Sequence, residues 1–166
     1  MKNKFLSLHN ILRMAGALLA IIIFISMFIT KMAVHKDAPN DIFFDFKNGA
    51  FFGNYADNLC DGYVFGFFGY LFVLLGGLAG LAFVFLEGRI EKKLLNLLSF
   101  VAGGVVAFGA IVVIFFAPAF IGLNDHGVLR NLRNYTTAAG PIVFGILGLG
   151  VAAFNILAPI LEKKGK

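Results

Sequence analysis

A chain of 166 residues that is 60% hydrophobic and only 14% charged has too little polar surface for a soluble globule of its size, in which about 25% of residues are charged. Its formal net charge of +5 sits on Lys and Arg at the ends of apolar blocks, where they anchor helices, and no separate basic domain exists to bind nucleic acid. The lone cysteine, Cys60, excludes an internal disulfide.

The apolar residues fall in four blocks, each near the roughly 20 residues that a bilayer-spanning helix needs. The first helix is predicted over about 11–32. Lys2, Lys4 and Arg13 precede its apolar core, 14–29, as in a secretion signal. That core is slightly long for a signal and no small-x-small cleavage site follows, so a permanent helix is expected. The polar segment 33–62 is the loop large enough for structure of its own. The second helix is predicted over 63–86 and a charged turn, 87–93, follows it. The third spans 95–121 and the fourth 136–161, with Pro141 in the first turn, where a missing N–H costs little. The expected fold is one domain, an all-α bundle of four transmembrane helices. Lys and Arg are in excess before the first helix, between the second and third, and after the fourth. By that excess both termini are expected to be cytoplasmic, in a multi-pass protein of the plasma membrane.

At about 100° per residue, Gly66, Gly69, Gly76, Gly77 and Gly80 share one face of the second helix. Asn96, Ser99, Gly103, Ala107, Ala110 and Ala117 do so on the third, and Thr137, Pro141, Gly145, Gly148, Ala152, Asn155 and Pro159 on the fourth. Lipid gives helices no hydrophobic reason to associate, so such small faces mark packing seams. The first helix offers only Gly16-x-x-x-Ala20 and is expected to be the most peripheral of the four. Pro159 cannot donate to the carbonyl of Asn155, which therefore needs another partner. Counted from the expected helix ends, Ser99 and Asn155 lie at similar depth, about 6 and 9 Å. Asn155 is expected to face the third helix and bond Ser99, Asn96 or a nearby carbonyl.

In the first loop, Asn48-Gly49 is a favoured type I′ turn pair, predicting a hairpin of 43–46 against 50–53. Phe43, Phe44, Phe46, Phe51 and Phe52 would stand on it, either packed on helix ends and headgroups or forming a partner-binding patch. Asp37, Asp41, Asp45, Asp57 and Asp61 lack the spacing of a calcium loop. His35 and His126 come without a zinc motif. No metal, cofactor or catalytic set is assigned. No ionisable residue lies near the middle of a predicted span, which argues against a proton-coupled pump.

Four helices with a larger first outer loop resemble the claudin-like tetraspan arrangement in layout alone. The loop has no Trp and one Cys, so the Trp and paired-Cys signature is missing. Nor does the first helix carry the membrane glutamate of small multidrug transporters. The resemblance implies no function. The expected function is a non-enzymatic accessory, assembly or structural subunit that contacts lipids, other membrane proteins or itself. The alternative is a small oligomeric channel or uncoupled transporter.

Overall fold

The computed structural model describes residues 7–41, 43–47, 64–115 and 135–164. Its helices are α1 (Leu8–Ser26), α2 (Val64–Leu86), α3 (Lys92–Phe115) and α4 (Ala139–Lys164). All four are long and apolar enough to cross a membrane, which makes the chain a multi-pass membrane protein by length and composition.

The helices form a ring. α1 and α3 each pack on both α2 and α4, and α2 also touches α4 across the middle. Neighbours run antiparallel. Asn10 near the start of α1 meets Glu87 just after α2, and Gly69 early in α2 meets Gly109 late in α3. Ser99 early in α3 meets Asn155 late in α4. The start of α1 and the end of α4 therefore share one end of the bundle, called here the terminal end. α1 is the least buried of the four helices, as its short small face implies, yet it packs closely on both α2 and α4. Gly16 contacts Phe154 and Val151 of α4, and Ala20 fills the space beside Gly77 of α2. Two small residues suffice because each lies opposite another helix's small or branched residue.

The boundaries shift from those expected for local reasons. α1 closes at Ser26, and a turn follows in which the Thr30 hydroxyl donates to the Ser26 carbonyl at 3.0 Å. Gly88 adopts φ +83°, which a side chain resists, and this reverses the chain sharply enough for α3 to begin at Lys92. α4 begins at Ala139 because the preceding Tyr135–Thr137 is a strand. Its two threonines are β-branched and suit extended backbone.

That strand, β3, belongs to a small antiparallel sheet with β1 (Ala33–His35) and β2 (Phe43–Phe44), in the order β2-β1-β3. β1 is the central strand: Ala33 stands opposite Phe44 and Thr137, and Val34 opposite Phe43 and Thr136. The Ala138 N–H donates to the Met32 carbonyl at 3.1 Å, tying the start of α4 to the segment after α1. The expected Asn48-Gly49 turn and its second arm, 50–53, lie outside the described residues.

Candidate functional site

The small residues close the interior. Measured from where a Cβ would stand, Gly76 lies 3.0 Å from the Ala102 carbonyl and also meets Val106. Gly103 lies 3.2 Å from the Ala152 carbonyl, and Gly145 lies 3.0 Å from the Ala110 carbonyl. Gly148 stands 3.0 Å from the Ala110 methyl, while Ala107 is partly buried at the core's edge. The tightest backbone approach among the described glycines joins Gly69 to Gly109, which the third-helix stripe omitted. A Cβ on Gly109 would stand 2.6 Å from the Gly69 carbonyl. α3 packs on two neighbours, so it buries a broader arc than one stripe. Ala102, Val106, Gly109 and Val113 share that arc at helical spacing.

Asn155 is buried between α4 and α2. Its amide donates to the Gly76 carbonyl at 3.3 Å and to its own helix at the Val151 carbonyl, 3.4 Å away. Its Oδ1 occupies the place of a Gly80 side chain. The side chain thus turns to α2 rather than α3. Gly76 and Gly80 leave room for an amide, whereas Ile156 already fills the space beside Gly103. The backbone of Asn155 is what meets α3. The Ser99 hydroxyl donates to the Asn155 carbonyl at 2.7 Å, the group that Pro159 leaves without its helical donor. Asn96, expected nearby, instead lines a groove on the outer side of α3.

These contacts make a rescue experiment. Ser99→Ala should lower the stability of the detergent-solubilised protein, by about 0.6 kcal/mol and at most about 1.7 kcal/mol. In the Pro159→Ala background the same change should cost nothing measurable, because residue 159 then supplies the N–H. Equal losses in both backgrounds would show that the carbonyl does not need Ser99.

At the sheet end, Phe46 meets Phe28, in the turn after α1, edge to face, with ring centroids 4.4 Å apart. Phe43 lies under the Lys31 ammonium, 4.0 Å from the ring centroid. Phe43 and Phe46 thus make contacts within the chain. The surroundings of the Phe44 side chain, and all of Phe51 and Phe52, lie outside the described residues.

The terminal end holds the chemistry that the sequence reading assigned only to topology. On α1, Asn10, Arg13, Gly16, Ala17, Ala20 and Ile23 form one buried stripe. Arg13 is therefore inside the bundle, 1% exposed. Its Nη1 donates to Asn10 Oδ1 at 3.4 Å, and its guanidinium lies 6.0 Å from the centre of the Phe83 ring. Nε and Nη2 have no hydrogen-bond partner among the described residues. Glu162 and Glu87 are the carboxylates whose charges act on it. Asn10 Nδ2 donates to Glu87 Oε2 at 2.7 Å, and His9 Nε2 stands 3.4 Å from Oε1 of the same carboxylate. Lys92 bridges to Glu162 Oε1 at 2.8 Å, leaving Oε2 buried without a partner among the described residues. Beside this cluster opens a cavity of about 400 Å³ lined by Glu87, Gly88, Ile90, Lys92, Leu95 and Glu162.

Every helix or its terminal flank contributes to the cluster. The signal for it was the helical spacing of Asn10, Arg13 and Gly16 on the same face as Ala20. What the cluster does not form is a nucleophilic relay. Ser7 Oγ and Glu87 Oε1 both approach His9 at Nε2, at 3.3 and 3.4 Å. A Ser-His-acid relay needs the hydroxyl and the carboxylate on opposite ring nitrogens. Among the described residues no group of three His, Cys, Asp or Glu side chains is placed to hold a metal ion. No family model matches the chain, and no curated protein and no solved structure matches it.

Proposed function

We propose that the chain is a non-enzymatic membrane protein that works by binding, as an accessory, assembly or structural subunit in contact with other membrane proteins or with further copies of itself. The observation that supports this best is the closed interior. Glycines of α2, α3 and α4 meet backbone or branched side chains of the facing helix. The helix surfaces left over are large and apolar, with Phe65, Phe68, Phe100 and Phe108 exposed. In a bilayer such surfaces meet lipid tails or another helix. The excess of Lys and Arg at the terminal end orients that end toward the cytoplasm in this reading. Purification in mild detergent followed by identification of co-purifying proteins is the test. Reproducible partners or a stable homo-oligomer are expected, and a consistently solitary monomer would defeat the reading.

A channel or uncoupled transporter is the second reading, and it puts the path between copies rather than through one chain. Asn96 favours it. This residue lines an outer groove of about 470 Å³ with Leu94, Leu97 and Phe100, and its Oδ1 is buried without a partner among the described residues. Flux of ions and small neutral solutes into proteoliposomes separates the two readings.

A further inference from the structure

The cavity at the terminal end has the volume of a small-ligand site, which begins at about 300 Å³. Its wall presents separated charges of both signs. The formal charges of Arg13, Lys92, Glu87 and Glu162 sum to zero, so a net anion or a net cation would unbalance the cluster. A zwitterion would not. Two groups on the wall have bonding capacity to spare. The Glu162 side chain, 10% exposed, lines the cavity, and its carboxylate can accept hydrogen bonds beyond the one contact with Lys92. Lys92, 40% exposed, uses one short contact on Glu162 Oε1 and has further N–H donors. The free acceptor calls for an ammonium with N–H donors, and the free donors call for an anion such as phosphate. Ile90, Leu95 and Gly88 supply the apolar part of the wall.

The cavity also has a defined depth. The candidate span on α2 ends at Leu86 and that on α4 at Glu162. Glu87 and Glu162 therefore stand where hydrocarbon gives way to headgroups. A ligand arriving there from the bilayer presents its headgroup at the level of the cavity and leaves its acyl chains against the outer helix faces.

We propose that this cavity binds the headgroup of a phosphatidylethanolamine lipid, with the primary ammonium donating to the Glu162 carboxylate and the phosphate facing Lys92. Arg13, buried in the same cluster, is the cation whose charge is felt by Glu162 and Glu87. The site is a lipid anchor at the terminal end and is separate from the protein contacts of the outer faces.

The test uses the full chain in detergent and lipids with identical acyl chains, with native mass spectrometry reading the lipid retained. Phosphatidylethanolamine and its N-methyl and N,N-dimethyl forms should be retained alike, since each keeps an N–H. Phosphatidylcholine, which has none, should be retained roughly tenfold less, the factor for one charge-assisted hydrogen bond. Glu162→Gln should shrink that discrimination, while Lys92→Gln should weaken ethanolamine and choline lipids together and leave their ratio unchanged. The methylation series keeps the protein intact, so it decides the matter even if Glu162→Gln does not fold. Equal retention of ethanolamine and choline lipids would overturn the proposal, as would a preference for phosphatidylglycerol. If free phosphoethanolamine competes as strongly as the lipid, the ligand is soluble and the lipid assignment fails.

Discussion

Gly109→Ala should destabilise the bundle by about 1–3 kcal/mol, the range for forcing added atoms into a well-packed interior. The added methyl would stand 2.6 Å from the Gly69 carbonyl, 2.9 Å from Phe72 Cβ and 3.2 Å from the Val73 nitrogen. Two of those neighbours are backbone, and Phe72 Cβ is fixed to it, so no side-chain rotation relieves the clash. α2 and α3 must separate, and the Gly76 contact with Ala102 loosens with them. The control is Gly104→Ala. A Cβ there meets nothing within 4 Å, and Ala is the better helix former by about 1 kcal/mol. Unfolding of the purified protein in mixed detergent, or its midpoint on heating, should therefore fall for Gly109→Ala and hold or rise for Gly104→Ala. Matching effects would mean that the α2–α3 distance is not set by Gly109.

The pair also marks what the sequence can and cannot disclose about this bundle. Gly103, Gly104 and Gly109 look alike in the chain, yet Gly104 faces away from the helix neighbours and Gly109 touches one. A wheel identifies a small face but not its angular width, and a helix in a ring has two neighbours and buries a wide arc. Pro159 was more informative, because covalent chemistry alone removes a donor four residues after Asn155. The need for an outside donor followed from the sequence. That Ser99 meets it, while the amide of Asn155 turns to α2, depended on which neighbour left space. The strand pairings of β1 with β2 and β3 join segments about a hundred residues apart in part, and no local turn signal specifies such a contact. Arg13 shows the opposite failure. Its position three residues before Gly16 and seven before Ala20 placed it on the buried stripe. A count of charges at a helix end carries no information about which way a side chain faces.

Arg13→Met should be the most damaging single change at the terminal end. Methionine is apolar and flexible enough to occupy the space beside Phe83, so the loss reports charge rather than volume. Removing one member of a fully buried ion pair costs about 3–5 kcal/mol, because the partner is left charged and uncompensated. Here Glu87 keeps its bond from Asn10 and Glu162 keeps Lys92. Their side chains are also 22% and 10% exposed, so solvent screens them in part. The expected loss is accordingly smaller, about 2–3 kcal/mol. Glu162→Gln or Glu87→Gln introduced into the Arg13→Met background should recover much of it, since the surplus negative charge is then removed. Arg89→Met, at an exposed position in the α2–α3 turn, should stay within about 0.5 kcal/mol of the parent. The double-mutant cycle separates the two roles open to Arg13. Recovery by either glutamine assigns it to balancing the carboxylates. A loss that neither glutamine relieves assigns it to packing against Phe83 and Asn10, and an Arg13→Met protein as stable as the parent would mean that the cluster is held without it.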